Sequence, residues 1–83
     1  ALGYCNTGVV LEASDSEFAV GSRVACNGPH ADIVRVPRNL CARIPDSVPD
    51  DAAAFTVAGA IALEGVRLVA PTLGENHAVM GLG

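Results

Sequence analysis

The sequence predicts an α+β fold, with short strands in the first half, helices in the second and a closing strand. Three observations carry that prediction. Residues 7–45 alternate β-branched runs with Gly, Asn and Pro turns. At Pro45-Asp46-Ser47-Val48-Pro49 the character changes, and Asp50-Asp51-Ala52-Ala53-Ala54-Phe55 has the acidic first turn and alanine run of a helix. From Asn76 an apolar run of strand character leads into Gly81-Leu82-Gly83.

Composition narrows the function classes. Eighty-three residues make one domain or part of one. A chain of this size buries only about 60% of the surface its unfolded form exposes. Hydrophobic residues are 51% and charged residues 17%, a globular balance. The net charge is −4, with five Arg and no Lys. No basic stretch exists, which argues against nucleic-acid binding through phosphates. No apolar run approaches the roughly 20 residues of a membrane span, and no secretory or lipidation motif is visible. The three cysteines, Cys5, Cys26 and Cys41, are widely spaced without a Cys-x-x-Cys. They read as reduced, partly buried thiols of a cytoplasmic protein. The chain does not begin with Met, which suggests a trimmed or internal segment.

The elements follow in order. Thr7–Ala13 reads as a strand and Ala13–Glu17 as a polar turn. Gly21 permits a turn with positive φ, Arg23–Cys26 is a second strand, and Asn27-Gly28-Pro29 is a strong turn. Ala31–Pro37 reads as a third strand ended by its proline, and Cys41–Pro45 as a short extended piece. Short strands so spaced indicate a sandwich or barrel. The helix opening at Asp50 breaks near Val57–Gly59, resumes over Ala58–Leu68 and stops at Pro71. Leu73-Gly74-Glu75 turns the chain into the last strand.

These pieces, in this order, resemble the medium-chain dehydrogenase/reductase superfamily of zinc-type alcohol, threonine and sugar dehydrogenases. Gly3-Tyr4-Cys5-Asn6-Thr7-Gly8-Val9-Val10 is similar to the family's Gly-His-Glu-x-x-Gly-x-Val. Phe18–Val24 resembles Phe-x-x-Gly-Asp-Arg-Val, His30–Val34 resembles His-Ala-Glu-Tyr-Val, and Ile44-Pro45-Asp46 resembles Ile-Pro-Asp/Glu. Asp51-Ala52-Ala53 and Leu73–Gly83 resemble the crossover helix and the approach to the nucleotide-binding domain. The resemblance spans nearly the whole chain. It implies a GroES-like partial β-barrel over residues 1–48, crossover helices and linker over 49–75, and the first strand of a truncated Rossmann domain over 76–83. It implies hydride transfer between NAD or NADP and a small-molecule alcohol or carbonyl substrate.

Gly81, Leu82 and Gly83 are the candidate cofactor-binding residues. In a Gly-x-Gly-x-x-Gly fingerprint the first glycine makes a tight turn and the second lets the pyrophosphate approach the backbone. The phosphate sits on the N-terminus of the helix that follows, so residues 1–83 by themselves are expected to be inactive. Tyr4 stands where zinc members of the family carry a ligating His, and a phenol is a poor substitute. Cys5 is its neighbour, not its equivalent, and the later ligand position falls at about Thr56. The residues therefore predict no metal site, and the family's zinc lacks its ligands here. Tyr4 is instead the candidate proton donor.

The other polar groups read as structural. His30 follows a turn, His77 starts a strand, Asp50 and Asp51 complement a helix dipole, and the arginines are solvated rim charges. A rival reading makes the chain a non-enzymatic, barrel-like interaction module. Its last strand, Val79–Leu82, has no sheet to join, and self-association into a homo-oligomer would supply one.

Overall fold

The computed structural model describes residues 3–82. They form a small α+β unit, a three-stranded antiparallel sheet with two helices. Strand β1 is Asn6–Val9, β2 is Arg23–Cys26 and β3 is Cys41–Arg43, in spatial order β1-β2-β3. Helix α1 is Asp50–Ala53 and helix α2 is Thr56–Val69. The sheet is open, with β1 and β3 as its edges.

The β1–β2 hairpin pairs Asn6 with Cys26 through Val9 with Arg23. Beyond Val9 the ladder ends in a bulge. Gly21 N donates to Val10 O at 2.9 Å, and Val10 N donates to Ser22 O at 3.0 Å. One residue therefore faces two, and Gly21 takes φ +90°, the left-handed position such a bulge assigns to glycine. Strand β1 is shorter than the expected Thr7–Ala13 for this reason: the bulge and the polar turn at Asp15–Glu17 end the regular pairing.

Ala31–Pro37 is not a strand. Both sides of β2 are occupied by β1 and β3, and the segment pairs with neither outer edge of the sheet. It forms part of the connection to β3 instead. A Cβ on Gly28 would lie 3.1–3.2 Å from the side chains of Val34 and Val36, so those two valines pack over the Gly28 backbone. A 3₁₀ turn at Arg38–Leu40 then feeds β3.

Helix α1 starts where the sequence places it, with Asp50 and Asp51 in the first turn and Pro49 before them. The break comes at Ala54–Phe55 rather than at Val57–Gly59, and Gly59 lies inside α2. Phe55 sits at φ −82°, ψ −2°, with its N–H tightened onto Ala52 O. The Thr56 hydroxyl donates to Ala53 O at 2.6 Å and closes the junction. Ala70 ends α2 in the left-handed region at φ 50°, and Pro71 prevents continuation.

Residues 76–82 form no strand. The expected closing strand over 76–83 has no partner among the described residues, and an isolated extended segment does not hold itself. Gly83 lies outside the described residues.

The core is shallow. Ala25, Ile44 and Ala53 are buried together with Val48 packed against them, which places α1 on the face of the sheet that carries Ala25. Val24 and Cys26 are buried on the opposite face of β2. Helix α2 has no buried residue, and Ile61, Leu63, Val66, Leu68 and Val69 on it are exposed. The radius of gyration is 15.5 Å, against about 12 Å for a compact chain of this length. The accessible surface is 6808 Å², against about 4,600 Å² for a compact monomer of this mass.

Candidate functional site

The sheet end of the molecule gathers the residues around Tyr4. Asn6 opens β1, and its Nδ2 donates to both Gly28 O and Pro29 O, the latter at 2.9 Å. These carbonyls belong to the turn after β2, where no strand neighbour reaches them, so the amide ties the two ends of the hairpin together. His30 completes the clasp. Its Nε2 lies 3.2 Å from Cys5 O, and its ring lies over Gly3. A Cβ on Gly3 would stand 2.5 Å from His30 Cε1, and Gly3 has φ +144°. Both facts select glycine there.

Tyr4 projects from this clasp and is 54% exposed. Its hydroxyl has no hydrogen-bond partner among the described residues. The structure thus places Tyr4 at a solvent-facing edge beside the Asn27–His30 turn. His30, read from the sequence as a capping or solvated residue, is a positioning element for the Gly3-Tyr4-Cys5 backbone. No spacing rule signals this contact, because it joins residues 25 apart in the chain.

Gly81 and Leu82 lie in the segment after α2. Gly81 has φ +83°, and nothing lies within 4 Å of the position a Cβ would take. Leu82 is 97% exposed, so it packs against neither Tyr4 nor the helices. The structure therefore does not bring the candidate proton donor and the candidate cofactor turn together. The preceding turn is well made. Thr72 N donates to Glu75 Oε2 at 2.9 Å, Gly74 takes φ +84°, and the bond to Thr72 holds the Glu75 carboxyl below its ordinary range.

A sheltered concavity lies between β3 and α1. It has a volume of about 290 Å³ and is lined by Ala25, Ala42, Ile44, Val48, Ala53 and Thr56, among others. The Thr56 hydroxyl there is already committed to Ala53 O. Apart from Arg43 at its rim the lining is apolar or already bonded, which fits a packing gap better than a cofactor cradle.

The charged groups do structural work. Arg23 bridges β2 to α1. Its Nη2 donates to Asp50 Oδ1 at 2.7 Å and to Val48 O at 2.7 Å, and its Nε reaches the same carboxylate at 3.0 Å. Arg38 joins Asp15, at 3.0 Å, and Glu17, linking the first turn to the 3₁₀ turn before β3. Both arginines tie segments together; Arg38 is still a solvated rim charge, as expected, whereas Arg23 is partly covered between β2 and α1. Among the described residues no group of three or more His, Cys, Asp or Glu is arranged to hold a metal ion. Comparisons with protein-family models, with curated proteins and with solved structures returned no significant match.

Proposed function

We propose that this chain is part of an NAD(P)-dependent medium-chain oxidoreductase that moves hydride between nicotinamide and an alcohol or carbonyl substrate. Residues 1–48 belong to its GroES-like substrate domain, residues 49–75 to the crossover helices, and residues 76–83 to the first Rossmann strand and its turn. The observation that carries the reading is Gly81. It takes φ +83° at the end of an uncovered apolar run, in the motif order described above, and its Cβ side is open. That is the tight turn the fingerprint assigns to its first glycine. The uncovered apolar surface of α2 and of Val79, Met80 and Leu82 supports the same reading, since a Rossmann sheet would bury it. In this reading Tyr4, exposed beside the Asn27–His30 turn, hands a proton to a substrate oxygen.

Two measurements test this. The coding sequence beyond Gly83 should place a glycine three positions later and an acidic residue about 20 further on. NADH fluorescence titration should give micromolar binding for the product carrying those residues and none for residues 1–83. Absence of both the glycine and the binding would remove the proposal.

A second reading rests on the sheet edges. Among the described residues strands β1 and β3 are both unpaired on their outer sides, and the tail offers a further apolar segment. In this reading the chain is a non-enzymatic module that self-associates. Sedimentation over a range of concentrations separates the two, because a compact monomer throughout leaves the second reading nothing to explain.

A further inference from the structure

Two of the three cysteines face each other across the sheet. Strands β2 and β3 pair in the register Val24–Arg43, Ala25–Ala42 and Cys26–Cys41. Asn27 N donates to Leu40 O at 3.1 Å, and Ile44 N donates to Arg23 O at 3.0 Å. In an antiparallel ladder, bonded and non-bonded pairs alternate. With 27/40 and 23/44 as bonded pairs, 25/42 is bonded and 26/41 is a non-bonded pair. Non-bonded pairs hold their Cα atoms about 4.5 Å apart, with side chains closer than in bonded ones. A disulfide spans Cα separations of about 4.4–6.8 Å. Both thiols lie on the face of the sheet away from the Ala25–Ile44–Ala53 cluster. All three cysteines are free thiols in the structure.

We propose that Cys26 and Cys41 form a cross-strand dithiol that oxidises reversibly to a disulfide, with a low-molecular-weight disulfide such as glutathione disulfide as the oxidant. Cys41 is half-buried and Cys26 is buried, so the reagent meets Cys41 first. The Cys41 thiolate attacks glutathione disulfide, forms a mixed disulfide and releases one glutathione thiolate. The Cys26 thiolate then attacks Cys41 Sγ and expels the second glutathione. Two protein thiols are oxidised, one disulfide is reduced to two glutathione thiols, and the two protons pass to those thiols. Burial raises the Cys41 thiol above its ordinary range first, and the charge on Cys26 raises it further, as expected for two sulfurs in one neighbourhood. The bond would lock β3 to β2 on the face opposite α1, and it is independent of any nicotinamide binding.

The test uses residues 1–83 equilibrated in glutathione buffer, acid-quenched, alkylated and digested with trypsin. Cleavage after the arginines puts Cys5, Cys26 and Cys41 on three different peptides, Ala1–Arg23, Val24–Arg35 and Asn39–Arg43. Mass spectrometry should find Val24–Arg35 linked to Asn39–Arg43 in at least about nine-tenths of the cross-linked material. In 6 M guanidinium the same linkage should fall to about half, because loop closure alone favours the shortest of the three loops only that far. A native distribution equal to the denatured one overturns the proposal. So does a native product carrying glutathione on each cysteine with no cross-link. Cys5→Ser should leave the native cross-link unchanged, and loss of the cross-link in that variant also counts against it.

Discussion

The sheet end and the helical end of this molecule are built on opposite terms. Between Gly3 and Ala53 every segment is tied to another. Asn6 and His30 clasp the hairpin ends, Arg38 joins two turns, and Arg23 fastens β2 to α1. From Thr56 onward the bonds are almost all local. Helix α2 is satisfied by its own backbone and a left-handed cap, and the Thr72–Glu75 turn closes on itself. The first region owes its shape to long-range contacts, and the second to local geometry with its apolar face uncovered. A region held by long-range ties and a region held by local bonds respond differently to the same kind of substitution.

The largest expected contrast is between two isoleucines. Ile44→Ala removes the largest member of the buried cluster and should lower stability by about 2–4 kcal/mol, read as a fall in the urea midpoint by far-UV circular dichroism. Ile61→Ala on the exposed face of α2 should change it by less than about 0.5 kcal/mol. Equal effects would show that α2 is packed and end the contrast. Glycine substitutions should come next and with opposite signs. Gly3→Ala drives a Cβ into the His30 ring at a positive φ and should cost about 2 kcal/mol. Gly65→Ala, inside α2 with open space around it, should add up to about 1 kcal/mol of helix stability.

A smaller gain should come from the cap. Ala70 holds a left-handed conformation that glycine adopts without steric cost, so Ala70→Gly should stabilise the end of α2 by about 0.5–1 kcal/mol. Slower amide exchange at Val69 and Ala70 would register it, and faster exchange would show that the cap is not strained. The weakest effect belongs to pH. Glu75 is held as a carboxylate below its ordinary range by its bond to Thr72. The turn is therefore intact above the usual glutamate range and loosens as pH falls through the lowered value. The Thr72 amide resonance should titrate with that lowered midpoint, and a midpoint at the ordinary glutamate value would remove the bond from the account.

Local signals in the sequence located the regular elements well. Arg23–Cys26 is a strand, Asp50 opens a helix, Gly21 takes positive φ, and the second helix runs up to the stop at Pro71. Two strand readings did not survive. Ala31–Pro37 has β-branched residues but pairs with no edge of the sheet, and residues 76–82 have no partner among the described residues. Strand propensity describes a segment, whereas a strand is a relation between two segments. The candidate site shows the same division. Gly81 was legible because a positive φ leaves its mark on residue choice. The seating of Tyr4 was not, because the His30–Gly3 contact joins distant parts of the chain.

By itself the sequence determined the α+β class, the change of character at Pro45–Pro49, the start of the first helix at Asp50 and the end of the second before Pro71, and glycines such as Gly21 that turn the chain. These are short-range effects of dihedral preference, dipole and hydrophobic period. Only the tertiary structure decided which strands pair, which face α1 covers, and that Cys26 stands opposite Cys41. Register is set by contacts between residues far apart in the chain, and a shift of one position would send every side chain of the strand to the other face.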